Sequence, residues 1–117
     1  MLQPKIVDPR IIAVTQKVVH AAKDALGDRL DKIILFGSYV RGDFDFESDV
    51  DFCILADVPR EEATKWRRDI NKRLPGIDLE YDILVSLHVI NSSMFYSHVD
   101  VLPFYRNVLQ EGVEVNG

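Results

Sequence analysis

Gly37 and Ser38 are followed by ten residues and then by Asp49-Val50-Asp51. A Gly-Ser pair leaving a strand is suited to gripping phosphate. Glycine lets the backbone approach a ligand closely, serine can cap the turn that follows, and the free N–H groups of that turn receive an anion. Two aspartates at alternate positions of a strand project from one face, about 7 Å apart along the backbone. Carboxylates that close repel by roughly 2 kcal/mol at an effective dielectric of about 20, and burying either one unpaired costs more. A cation between them removes the penalty. Oxygen-only donors suit a hard ion, Mg²⁺ or Mn²⁺, rather than zinc, and a phosphate-rich substrate would complete the shell. The chemistry implied is phosphoryl or nucleotidyl transfer.

That chemistry requires strands on both sides. Lys32-Ile33-Ile34-Leu35-Phe36 is an apolar run ending at the glycine, and Asp49 to Leu55 alternates before becoming apolar, so both read as strands. Between them Ser38 can cap a short helical turn over Tyr39 to Arg41, which Gly42 lets the chain leave; Arg41 is placed to hold the turn or touch phosphate. Alone, Gly-Ser is an ordinary turn and Asp-x-Asp a solvated strand edge. Their conjunction at fixed spacing is what carries information. For Gly37-Ser38 at the end of one strand to meet Asp49 at the start of the next, the two strands must run antiparallel.

Asp8-Pro9 supplies a cap and first-turn proline for a helix whose stripe is Ile11, Val14, Val18, Ala22 and Leu26, up to Gly27. A second helix lies between Pro59 and Leu74 with Ala63, Trp66, Ile70 and Leu74 on its apolar face. After the Pro75-Gly76 turn, Leu79 to Val85 reads as a third strand. Asn91 can start a short helix over Met94 to Val99, and Pro103 a final helix through Glu111, closed by Gly112. The fold expected is α/β, a small mixed three-stranded sheet packed with helices in a single domain, 1–117.

Gly37-Ser38, Arg41-Gly42 and Ser48-Asp49-Val50-Asp51 together resemble the signature of the polymerase-beta-like nucleotidyltransferase superfamily, and most of all its minimal, MNT-type members. The resemblance implies transfer of a nucleoside monophosphate from a nucleoside triphosphate, ATP in the first instance, with release of pyrophosphate. It also implies that Gly37, Ser38, Arg41 and Ser48 contact the nucleotide, and that a third carboxylate on a later strand joins Asp49 and Asp51 in a two-metal site. Asp82, ahead of Ile83-Leu84-Val85, is the best match. Asp78 and Glu80 share its expected strand face and remain open as the third carboxylate.

The chain has 117 residues, 47% of them apolar, enough for one core that buries roughly two thirds of the unfolded surface. A net charge of −5 argues against an extended nucleic-acid footprint. Neither a signal peptide nor a membrane span is visible, and a cytoplasmic location is expected. Cys53, the single cysteine, sits in the apolar tail of its strand and reads as a small buried hydrophobe. His20, His88 and His98 form no cluster and read as surface or packing histidines. Trp66 reads as core, and the cations of its helix, Lys65, Arg67, Arg68, Lys72 and Arg73, as a solvated face or a dock for an acidic partner. The acidic run Asp43 to Glu47 would repel a triphosphate unless its side chains point away or help hold metal.

No acceptor pocket is legible, so the acceptor is expected through a partner. Proteins resembling this one act beside helical HEPN-domain toxins as their antitoxins. The resemblance therefore implies transfer of AMP to a hydroxyl, tyrosine foremost, on such a partner. Transfer to a small molecule such as an aminoglycoside, with homodimerisation completing the pocket, and a non-catalytic binding antitoxin are the alternatives.

Overall fold

The computed structural model of the chain describes residues 8–37 and 49–116. Helix α1, Pro9–Leu26, starts as its sequence dictates: the Asp8 carboxylate accepts the Arg10 N–H at 2.9 Å, and Pro9 needs no donor there. Its stripe Ile11, Val14, Val18, Ala22 and Leu26 is buried. A 3-10 turn at Gly27–Arg29 leads into β1, Leu30–Phe36, which pairs antiparallel with β2, Val50–Ala56. Phe36 lies opposite Asp51 and Ile34 opposite Cys53. The antiparallel arrangement required by the motif is therefore present.

Helix α2, Ala63–Lys72, follows a 3-10 turn at Arg60–Glu62. Ile70 is fully buried, and Trp66 packs half-buried on the core with its indole N–H donated to Glu62 at 3.3 Å. Next come α3, Ile77–Tyr81, and β3, Val85–Asn91, then α4, Ser92–His98, α5, Pro103–Glu111, and β4, Val113–Glu114. Asn91 caps α4 by accepting the Met94 N–H at 2.8 Å.

The sheet has four strands in the order β3-β2-β1-β4, with β3 parallel to β2 and β4 antiparallel to β1. The expected sheet had three. Strand β4 is two residues long, too short to show alternation; it is held by Val115 N–H to Ile33 C=O and by the Asn116 carboxamide accepting the Ile33 N–H, both at 2.8 Å.

A second correction concerns the segment before β3. Leu79 to Val85 was expected as a strand, but residues 77–81 form a helical turn, Asp82 closes it in the left-handed conformation at φ 54, and the strand begins only at Val85. Ile77 and Ile83 are the residues this segment buries, while Leu79 is 90% exposed. A strand through Leu79 would have buried the wrong side chains.

The two faces of the sheet differ. Ile33, Leu35, Val50, Phe52, Ile54, Leu87 and Val89 pack under α1 and α2 in the larger core. Each fully buried side chain of this kind contributes about 1.5–3 kcal/mol over leaving it exposed, so this face carries most of the stability. On the other face Ile34, Cys53, Leu55 and Ile90 meet Phe95 of α4 and Val108 of α5. Asp49 and Asp51 continue the Cys53–Leu55 row by alternation, toward the end of β2 that this smaller cluster leaves uncovered. Burial pushes the Cys53 thiol up to about 12. Cys53 should therefore resist alkylation by iodoacetamide at about pH 8 in the native protein and react fully in denaturant, where its thiol returns to the ordinary range, as read by intact mass.

Candidate active site

Gly37 leaves β1 with φ 97, and a Cβ built on it would lie 2.8 Å from Oδ2 of Asp51. The glycine turn and the second carboxylate are thus in contact, and only a residue without a side chain permits it. Asp49 and Asp51 are both half-buried. Asp49 Oδ2 accepts the Ser86 hydroxyl at 3.2 Å, and Asp51 Oδ1 lies 3.6 Å from Nε2 of His88. The parallel register that sets Asp51 beside Ser86 brings both β3 side chains onto the carboxylate face.

His88 is held in turn by aromatic rings. Its centroid is 5.6 Å from Phe36 and 5.7 Å from Phe104 of α5, and those two rings meet edge-on at 5.5 Å. In sequence His88 reads as an ordinary surface histidine and Ser86 carries no signal of its own. The structure places both against the aspartates. Their spacing of two is visible in the sequence, but it acquires meaning only once β3 is known to start at Val85 and to lie beside β2.

The other expected residues divide. Ser38, Arg41 and Ser48 lie outside the described residues, as do Gly42 and the acidic run Asp43 to Glu47. Asp82 is exposed in the turn ahead of β3, at the sheet end from which Asp49 and Asp51 project. Asp78 accepts the Val85 N–H at 3.2 Å, and Glu80 pairs with Lys17 of α1 at 3.2 Å, so both alternatives are engaged elsewhere. Among the described residues no three His, Cys, Asp or Glu side chains are gathered to hold a metal. Asp82 is therefore not brought together with Asp49 and Asp51. The two gathered carboxylates, all-oxygen donors beside a glycine turn, fit one hard divalent cation.

This geometry agrees with what the chain is similar to. Residues 16–115 match the family described as nucleotidyltransferase domain. The chain belongs to that nucleotidyltransferase family. Two relatives from Methanocaldococcus jannaschii carry the provisional name protein adenylyltransferase. The first is 38% identical over 105 residues, covering 90% of this chain and 98% of the relative; the second is 36% identical over 97 residues, covering 83% and 89%. The crystal structure of a toxin-antitoxin with AMP-PNP superposes with a TM-score of 0.52 at 19% identity, over 86% of this chain and 70% of that one, a likeness of fold. This nucleotidyltransferase has a mixed sheet packed with helices, as expected. Among the described residues no helix is long and apolar enough to cross a membrane.

A cavity of about 630 Å³ adjoins the site along the outer edge of β3. It is walled by Thr64, Arg67 and Asn71 of α2 on one side and by Phe104 and Tyr105 of α5 on the other, with Ser86 and His88 on its floor.

Proposed function

We propose that this nucleotidyltransferase transfers AMP from ATP to a hydroxyl, tyrosine foremost, on a partner protein of the HEPN toxin type. The observation that carries the reading is the contact between the Gly37 turn and Asp51, with Asp49 just ahead of the same strand. It joins a phosphate-gripping turn to a cation-holding pair. The near full-length likeness to relatives named as protein adenylyltransferases supports AMP and a protein acceptor. The toxin-antitoxin of similar fold supports a toxin partner.

In the reaction the acceptor oxygen forms a bond to the α-phosphorus of ATP. The bond from that phosphorus to the oxygen bridging the β-phosphate breaks, pyrophosphate leaves, and the hydroxyl proton passes to solvent. A bound Mg²⁺ or Mn²⁺ would neutralise triphosphate charge and stabilise the leaving oxygen. Asp49 and Asp51 would hold it. Ser86 orients Asp49 by its hydrogen bond, and the backbone after Gly37, with Ser38, Arg41 and Ser48, would position the phosphates. The two-metal form of the reading gives Asp82 to a second ion. The reading places the protein in the cytoplasm, where ATP is available.

The test is to incubate the purified protein with ATP, Mg²⁺ and the product of its neighbouring gene. The expected result is a mass increase of one or more AMP units on that neighbour. An unchanged mass, with both proteins folded and ATP present, overturns the assignment.

A further inference from the structure

We infer that the outer edge of β3 is the acceptor dock: it takes an extended, acidic segment of the partner polypeptide as an added strand and presents a tyrosine to Asp49 and Asp51. The inference rests on the transfer proposed above. The ladder geometry comes first. Val50 N–H donates to Leu84 C=O at 2.8 Å, and Val50 pairs with Val85 in a parallel register. In that pattern Ser86, His88 and Ile90 turn their N–H and C=O toward β2, while Val85, Leu87 and Val89 turn theirs outward. The Val85 N–H is accordingly found on the Asp78 carboxylate. Among the described residues Leu87 and Val89 donate to nothing, and β3 is the terminal strand of the sheet.

Exposed edges are normally blunted by lysine, proline, bulges or a covering element. Strand β3 reads Val-Ser-Leu-His-Val-Ile-Asn and carries no lysine or proline, and its pairing with β2 runs without a bulge. Among the described residues the 630 Å³ cavity between α2 and α5, rather than a covering element, runs along this edge. Main-chain pairing with an extended segment satisfies such an edge and gives affinity without sequence preference.

The walls specify the occupant. In a chain of net charge −5 the described residues that line the cavity include no Asp or Glu, while exposed Arg67 stands on its α2 wall. An acidic side chain of the added strand would face Arg67. The distance to the site then selects the acceptor residue. An added strand lies two ladder spacings from β2, roughly 9–10 Å. A serine hydroxyl cannot bridge that distance, whereas a tyrosine ring laid across His88 and Phe104 largely does, on an aromatic platform suited to it.

The test uses three synthetic peptides of equal length: one tyrosine among alternating glutamates, the same with lysines, and the glutamate peptide with serine for tyrosine. Binding to the full chain is measured by fluorescence anisotropy and by amide exchange, neither of which needs turnover. The glutamate peptides should bind at least about tenfold tighter than the lysine peptide, a difference of about 1.4 kcal/mol. The Leu87 and Val89 amides should become protected on binding, and only the tyrosine peptide should be labelled with AMP. Arg67→Glu should reverse the charge preference. Val89→Pro removes an outward N–H not used by the β2 ladder and should weaken binding at least about tenfold; if it fails to fold, Arg67→Glu decides. Unprotected Leu87 and Val89 amides, an unchanged preference in Arg67→Glu, or protection of this edge by a second copy of the chain or by an RNA strand instead would overturn the inference. Edge binding without AMP transfer would sustain the dock and count against the proposed reaction. Transfer with a silent edge would do the reverse.

Discussion

Replacing Asp49 and Asp51 together by asparagine is expected to lower nucleotidyl transfer at least about 1000-fold while the fold persists. A loss of about 1000-fold corresponds to about 4 kcal/mol of transition-state stabilisation, within what a cation bound to a transferring phosphoryl group supplies. Stability should change by no more than about 1 kcal/mol, because the contacts of the two carboxylates are few: the Ser86 hydroxyl on Asp49 and His88 at 3.6 Å from Asp51. The carboxylates repel one another, and the Asp49→Asn side chain keeps an oxygen able to accept from Ser86, which meets Asp49 at 3.2 Å. The measurement pairs AMP incorporation into the partner with a thermal melt. Transfer within about tenfold of the wild-type chain would sink the cation-holding role of the pair. Loss of transfer with undiminished neutralisation of an unmodified partner would instead show that docking alone is the function.

What the sequence made legible followed from short-range rules. Asp8-Pro9 and the stripe from Ile11 to Leu26 define α1 because capping and helical periodicity act within a few turns. The antiparallel pairing of β1 and β2 followed from the chemistry, since the Gly37-Ser38 turn at the end of one strand had to meet Asp49 at the start of the next. The region around Asp82 failed for a reason of the same kind. Asp78, Glu80 and Asp82 alternate as a strand would, but residues at i and i+4 also share a helical face, and over so short a segment the two periods are hard to separate. Burial of Ile77 and Ile83 decided for the turn. Ser86 and His88 were illegible for a different reason: a polar residue on a strand gains its role from the strand beside it, and that register is fixed by long-range packing of Leu87 and Val89 under α2.

Gly37→Ala should lower transfer by about 100-fold, and the comparison with Gly76→Ala shows why. Both glycines hold positive φ, 97 at Gly37 and 73 at Gly76, so an alanine at either carries a backbone penalty on the order of 1–3 kcal/mol. Only at Gly37 does the new Cβ meet the site, 2.8 Å from Oδ2 of Asp51; at Gly76 nothing lies within 4 Å. Asp51 must then swing, and His88, 3.6 Å from its other oxygen, stands on one side. A displacement of about 1 Å in a positioned group is enough for a loss on the order of 100-fold. The two variants should therefore melt at similarly lowered temperatures but differ in chemistry. Gly76→Ala should keep near wild-type transfer, whereas Gly37→Ala should need more Mg²⁺ for half-maximal rate, because the carboxylate that has moved is one proposed to hold the ion. Equal transfer rates and equal Mg²⁺ dependence in the two variants would show that the closeness of Gly37 to Asp51 is a packing accident rather than part of the site.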